Sequence, residues 1–243
     1  MHKHVSLSTP FVELGLSAAI LHALDQAGFR EPSDIQRQLI PLVLEGKDVL
    51  GQARTGTGKT AAFGLPILQM VHLDEGLQAM ILVPTRELAV QVAAELRRLR
   101  PSEQLHIVPV YGGQKIRQQL HLLGRKPHVV VGTPGRVIDL LDRRALRFET
   151  IRFAVLDEVD RMLDIGFRDD IRNILSRIQH EHQTILVSAT FTDEIKRLSQ
   201  RYMDNPIEVN VSHDVLTVDE VRQTYLTVDS WDKPRALELL LQQ

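Results

Sequence analysis

The feature that most constrains this chain is the loop at residues 51–60, Gly51-Gln52-Ala53-Arg54-Thr55-Gly56-Thr57-Gly58-Lys59-Thr60. It follows the short apolar run Asp48-Val49-Leu50 and precedes a helix-like segment at 61–70. A strand, a tight glycine loop and a helix in that order commit the chain to parallel strands joined by helical crossovers. Small residues let backbone N–H groups curl around phosphate oxygens, and the helix N-terminus adds partial positive charge. Lys59 then reaches the β and γ phosphates, and the Thr60 hydroxyl ligates Mg²⁺. The pattern G-x-x-x-x-G-K-[ST] asks for Gly at its first position, where Ala53 stands; Ala still allows close backbone approach. The plain alternative is an ordinary glycine turn before a helix.

The rest of the chain alternates in the same way. Candidate strands fall at 48–51, 79–83, 105–110, 128–131, 153–156, 184–187 and 207–211. Runs such as Met80-Ile81-Leu82-Val83 and Val129-Val130-Val131 are apolar throughout, as strands buried on both faces are. Between them lie helical stripes: Leu88, Val92, Leu96 and Leu99; Phe167, Ile171, Ile174, Leu175 and Ile178; and Leu16, Ala19, Ile20, Ala23 and Leu24, stopped by Gly28. Thr192 before Asp193-Glu194 reads as an N-cap. The expected fold is α/β, a doubly wound, mostly parallel sheet with helices on both faces.

Ligands in such sheets bind beyond the carboxyl ends of the strands. The glycine loop follows the first candidate strand and Pro84-Thr85-Arg86-Glu87 the second. Tyr111-Gly112-Gly113 follows the third and Thr133-Pro134-Gly135-Arg136 the fourth. Asp157-Glu158-Val159-Asp160 follows the fifth and Ser188-Ala189-Thr190 the sixth. Each alone reads as a turn or cap. Together they place six polar clusters on one edge.

Totals exclude several classes. The 243 residues are 43% hydrophobic and 25% charged, enough for one large domain and part of another. No cysteine rules out disulfides and thiolate zinc sites and fits a reducing cytosol, so a cytoplasmic location is expected. No apolar run of eighteen residues spans a membrane. At a net charge of −2, a nucleic-acid partner needs a local groove rather than bulk attraction.

In a loop ATPase an acid placed like Asp157 holds Mg²⁺ with Thr60, and an acid placed like Glu158 deprotonates the attacking water. An acidic helix start is the bland reading. Gln36 can bond both N6 and N7 of adenine, and Phe11 can stack on the base. By themselves these are an ordinary helix residue and an ordinary core residue.

Taken together, the residues resemble the N-terminal RecA-like domain of DEAD-box ATP-dependent RNA helicases over about 6–211. Phe11 with Gly28 to Gln36, Arg30 included, resembles the family's Q motif, in a region at 9–37. Residues 53–60 match its A-x-T-G-x-G-K-T loop. Pro84, Thr85 and Arg86, Gly112 and Gly113, and Thr133, Pro134, Gly135 and Arg136 resemble its RNA-backbone motifs. Ser188, Ala189 and Thr190 match its coupling motif, toward which Asp160 bonds. The namesake tetrad departs: Val159 stands for Ala, its two extra methyl groups beside the Asp160 contact. The resemblance implies ATP and Mg²⁺ as cofactors, with Lys59, Asp157 and Glu158 catalytic. It implies RNA as partner without sequence reading, and a second RecA-like domain to complete the site. The expected organisation is a first domain at 1–212, then a linker and the start of a second at 213–243, with a strand at 221–228 and a helix at 233–241. An ATP-gated RNA clamp uses the same motifs. A phosphate-loop metabolic kinase has no use for the Thr-Pro-Gly-Arg and Ser-Ala-Thr clusters.

Overall fold

The computed structural model describes residues 9–211 and 224–241. A short helix α1 (Thr9–Val12) and helices α2 (Ala18–Gln26) and α3 (Asp34–Leu44) lead into strand β1 (Val49–Gln52). The glycine loop opens α4 (Lys59–Met70). Strand and helix then alternate through β2 (Ala79–Leu82), α5 (Arg86–Leu99), β3 (Ile107–Val110), α6 (Ile116–Leu123), β4 (Val129–Gly132), α7 (Pro134–Asp142) and β5 (Phe153–Asp157). Helices α8 (Val159–Ile165) and α9 (Arg168–Ser176) precede β6 (Gln183–Ser188), α10 (Asp193–Tyr202) precedes β7 (Ile207–Asn210), and α11 (Lys233–Leu241) comes last.

The seven strands form one sheet in the order β3-β4-β2-β5-β6-β1-β7, and every neighbouring pair is parallel. Alternate residues point to opposite faces, so each strand feeds two cores. Val49, Ile81, Val129, Val155 and Ile185 join α2, α3, α4 and α5 in one core. Leu50, Met80, Val130, Ala154 and Leu186 join α7, α8, α9 and α10 in the other. The expected doubly wound, two-faced sheet is the observed one. Edge strand β7 is buried at Val209 and open on either side of it, as a strand covered on one face should be.

A buried carboxylate fastens the far end of this sheet. Asp48, just before β1, accepts hydrogen bonds from Thr184 N at 2.7 Å and Asp204 N at 2.8 Å. It satisfies two backbone donors that no ladder reaches, at the start of β6 and in the turn before β7.

The chain divides into two compact units, Met1–Ser212 and His213–Gln243. The expected strand at 221–228 is corrected. Residues 221–223, like the expected linker at 212–220, lie outside the described residues, and 224–228 form no strand. Tyr225 is 92% exposed, and a strand needs a ladder partner for its backbone groups. The helix expected at 233–241 is α11, none of whose residues is buried.

Candidate functional site

In an all-parallel sheet the loops after successive strands emerge at one edge. The six polar clusters follow β1 to β6 and therefore share that edge. Strand β6 lies between β1 and β5, with Gln52 level with Ser188 and Val187 level with Asp157. The glycine loop, the acid pair and the Ser-Ala-Thr segment are thus neighbours.

The loop is shaped by two left-handed glycines, Gly56 at φ +85° and Gly58 at φ +87°. A side chain at Gly58 would put its Cβ 2.3 Å from Gln36 Nε2 and push that amide aside, and the left-handed backbone itself favours glycine. Thr57 Oγ1 donates to Arg54 O at 2.8 Å, folding the loop on itself. Its entrance is tied to the coupling segment: Ala53 N donates to Ser188 O at 3.0 Å and Gln52 Nε2 to Ala189 O at 3.1 Å. The Ala53 methyl is fully buried in the core, and the variant position fits without loosening the loop. Arg54, Thr55 and Gly56 are exposed at the tip.

Gln36 occupies the first turn of α3. Its Oε1 accepts from Ser33 N at 3.0 Å and its Nε2 donates to Gly58 O at 3.1 Å, so the amide spans helix start and glycine loop. Phe11 is 0% exposed and packs edge-on to Phe29 at 6.5 Å. Stacking on a base needs an open ring face, so the expected stacking gives way to core packing beneath the 28–36 segment. The Arg30 guanidinium lies out in solvent, paired with Asp25 at 3.0 Å.

Lys59 is 7% exposed and Asp157 3% exposed. Among the described residues, five buried side-chain polar atoms lack a hydrogen-bond partner, and Lys59 Nζ and Asp157 Oδ1 are two of them. Burial pushes the Asp157 carboxyl up to about 6, against the pull of Lys59, while Glu158 and Glu95 add to the upward push. A buried ammonium and a buried carboxylate with unspent bonds are expensive unless something polar completes them. Phosphate oxygens suit the first and a divalent cation the second, so the residues present fit a magnesium nucleotide. Glu158 takes φ +55°, uncommon for a non-glycine residue, and its carboxylate lies 3.4 Å from Arg161 Nη1.

Asp160 Oδ2 accepts from Ala189 N at 3.2 Å, Thr190 N at 3.1 Å and Thr190 Oγ1 at 3.2 Å. Val159 is fully buried in the second core, so its extra methyl groups point away from these bonds and leave them intact.

A second group of residues gathers beyond β2, β3 and β4. The Arg86 guanidinium lies 5.3 Å from the centre of the Tyr111 ring. Arg136 donates to Gln114 O at 3.3 Å and pairs with Asp139 at 3.7 Å. Thr85 caps α5, accepting from Leu88 N at 3.3 Å, and Thr133 and buried Pro134 begin α7. Gly112, Gly113 and Gly135 are exposed. Three loops therefore bring two arginines and three bare glycines to one strip of surface.

The residue that sequence reasoning missed is Glu95 on α5, a half-buried carboxylate that burial pushes above its usual range and whose charge adds to the upward push on Asp157. The signal was present. Glu95 falls three residues after Val92 and four before Leu99, inside the apolar stripe, where an unpaired charge is costly. A separate cavity beside α8, α9 and α10 is lined by Arg168, Arg172, Arg197 and Arg201 around Glu194, whose carboxyl Arg168 holds below its usual range. Arg168 pairs with Glu194 and Arg172 with Asp169, Arg197 donates to Asp193 O and Arg201 lies over the Tyr202 ring.

Residues 33–198 match the DEAD/DEAH box helicase family. The chain belongs to that family. It is 47% identical over 96% of its length to the DEAD-box ATP-dependent RNA helicase CshA of Geobacillus kaustophilus, covering 50% of that protein. Against the Bacillus subtilis CshA the identity is 43% over 97% of the chain and 48% of the relative. This DEAD-box chain therefore spans about half the length of the curated relatives it matches. Its fold superposes on a DEAD box protein from the hyperthermophile Methanococcus jannaschii with a TM-score of 0.81 and 38% identity, covering 96% of this chain and 63% of that one. On an ATP-dependent RNA helicase described as hypothetical, from Sulfolobus tokodaii, the TM-score is 0.75 at 34% identity, covering 80% and 57%. The parallel sheet is the RecA-like fold of that family. Among the described residues no helix is long and apolar enough to cross a membrane.

Proposed function

We propose that this chain supplies the N-terminal RecA-like domain of a cytoplasmic ATP-dependent RNA helicase. Residues 1–212 form that domain and 213–243 lead into a second one. The chain binds ATP with Mg²⁺, holds one RNA strand by its backbone, and hydrolyses ATP with the second domain to separate short duplexes. The observation that carries this reading is the buried pair Lys59 Nζ and Asp157 Oδ1 beside a glycine loop, neither with a hydrogen-bond partner among the described residues.

The residues divide the work. Backbone amides of 53–60 wrap the phosphates, and the Lys59 ammonium holds the β and γ oxygens. Thr60 Oγ1 and the Asp157 carboxylate hold the metal, partly through water. Mg²⁺, when bound, draws off phosphate charge. The Glu158 carboxylate accepts a proton from the attacking water. Gln36, released from Gly58 O, reads the adenine edge. Arg86, Gly112, Gly113, Thr133, Gly135 and Arg136 hold phosphates and 2′-hydroxyls, which carry no sequence information. Asp160, bonded to Ala189 and Thr190, passes the state of the acid pair to the coupling segment.

The test is the ATPase rate with and without single-stranded RNA, on a chain that includes the second domain. Stimulation by RNA of any sequence is expected, while the 243-residue chain alone binds nucleotide weakly and unwinds nothing. Absence of stimulation, or unwinding by this chain alone, overturns the reading. Biological activity that survives Glu158→Gln, with little strand displacement by the full-length chain, points instead to an ATP-gated clamp.

A further inference from the structure

We propose that Gln119 is a positioning residue of the RNA strip: its buried amide ties the turn at 111–114 shut and so fixes the carbonyl from which Arg136 is aimed. The inference rests on the RNA reading above and adds to the strip a buried residue that lies beneath it.

Gln119 stands where α6 would be expected to carry an apolar residue. It and Leu123 are the buried residues of that helix, one turn apart on one face. Gln119 is 0% exposed. A primary amide so placed is costly unless its hydrogens are used, and both are. Nε2 donates to Tyr111 O at 2.9 Å and to Gln114 Oε1 at 2.8 Å. One nitrogen therefore holds the first and the last residue of the turn. Tyr111 follows Val110, the last ladder residue of β3, so its carbonyl lies past the reach of strand β4. Gln119 Oε1 has no hydrogen-bond partner among the described residues, so the amide is kept for its donors alone. Turned over, it would set an oxygen against the Tyr111 carbonyl, which fixes its orientation.

Both arginines of the strip rest on this turn. Arg86 lies over the Tyr111 ring. Arg136 sends Nη1 and Nη2 to Gln114 O at 3.3 and 3.4 Å, and its Nε faces Asp139 at 3.7 Å. A guanidinium carries its N–H groups in a rigid plane, so seating one edge on Gln114 O sets the direction of the hydrogens left over. Each terminal nitrogen keeps one of them for a phosphate oxygen. Between the tied ends, Gly112 and Gly113 stay exposed, with Gly113 at φ +82°. The turn is thus bonded on its inner side and bare on its outer side. Groups ordered before a ligand arrives lose less freedom when it binds. With the tie cut, Gln114 O is free to leave Arg136, and the guanidinium falls back on Asp139.

Binding of fluorescent single-stranded RNA, of mixed and of uniform sequence, tests this on a chain that includes the second domain, with Mg²⁺ and a non-hydrolysable ATP analogue. Gln119→Leu is similar in size and has no hydrogen to give. It is expected to weaken every RNA about tenfold, because one phosphate contact is lost and another loosened. Affinity for the nucleotide should stay unchanged. On an Arg136→Ala background the same change should cost only about twofold, because most of its effect runs through that arginine. Wild-type RNA affinity in Gln119→Leu, or equal losses on both backgrounds, overturns the positioning role and leaves the strip standing. If Gln119→Leu lowers RNA and nucleotide affinity alike, Gln114→Ala decides from the surface side of the tie: a loss confined to RNA upholds the role, and any other result overturns it. RNA affinity that ignores Arg136→Ala overturns the strip and the inference together.

Discussion

The two ends of the functional edge are built on opposite principles. At the glycine loop, the groups that matter are buried and short of partners: among the described residues Lys59 Nζ and Asp157 Oδ1 have no hydrogen bond, and a methyl group at Gly58 would displace the Gln36 amide. Along the strip beyond β2, β3 and β4 the reverse holds. Arg136 is tied to Gln114 O, Arg86 rests on Tyr111, and a Cβ at Gly112 or Gly135 would meet nothing within 4 Å. A site for one small ligand of fixed shape is best kept dry, tight and incomplete, because electrostatics are strong there and reorganisation is small. A surface for a flexible polyanion is better left wet, with charges held in place by weak internal contacts that exchange easily.

That contrast can be tested from its strongest point down. Glu158→Gln, in a chain with the second domain, should lower RNA-stimulated hydrolysis by about 10²- to 10⁴-fold while nucleotide still binds. A loss smaller than tenfold would remove Glu158 from the proton-transfer role.

Next comes pH. Asp157 is raised from 3.8 to about 6 by burial, so the folded chain keeps this proton through a range where the unfolded chain has lost it. The metal-free chain therefore loses stability as pH climbs from about 4 to about 6, by on the order of 3 kcal/mol. Asp157→Asn should flatten that slope and raise the neutral-pH melting temperature in EDTA. Affinity for magnesium nucleotide should move the other way in the wild type, falling about tenfold per unit below pH 6, since the ligand form is the carboxylate. A flat binding profile from pH 7 to 5 would show that Asp157 does not act as the metal ligand.

A glycine pair sharpens the comparison at the level of stability. Gly58→Ala combines a left-handed backbone with a collision against Gln36 and should cost about 1–3 kcal/mol. Gly112→Ala should stay within about 0.5 kcal/mol. Similar denaturation midpoints for the two variants would mean the loop is as loose as the strip.

The smallest effect belongs to the strip itself. Arg136→Ala should weaken RNA about fivefold for every sequence and lower the salt slope by about one. Nucleotide affinity should not move. A change confined to one RNA sequence would contradict backbone holding.

Much of this was legible before any coordinates. Strand β2, expected at 79–83, is Ala79–Leu82, because an all-apolar run has few other fates in an α/β chain. Thr192 caps α10, accepting from Ile195 N at 3.4 Å, as its place before two acids suggests. The polar clusters were readable for the same reason: each is contiguous, and its position after a strand is a local fact. Phe11 was misjudged because a lone aromatic looks the same whether it faces a ligand or a core. Residues 224–228 were misjudged because an apolar pattern signals a strand only where a partner waits to bond with it.

Spacing along the chain determined which elements form, which side of each is apolar, and that the glycine loop, the acids and the Ser-Ala-Thr segment follow strands of one parallel sheet. Only the tertiary structure decided that β6 lies between β1 and β5, that Gln36 lends its amide to Gly58 O, and that the charge of Glu95 is felt by Asp157. The division has a physical cause. Periodicity is written in neighbouring residues, whereas a contact between elements depends on how two surfaces interlock. Between α4 and α5 that interlock is set by a missing side chain at Gly64 and by Leu96, which fills its place.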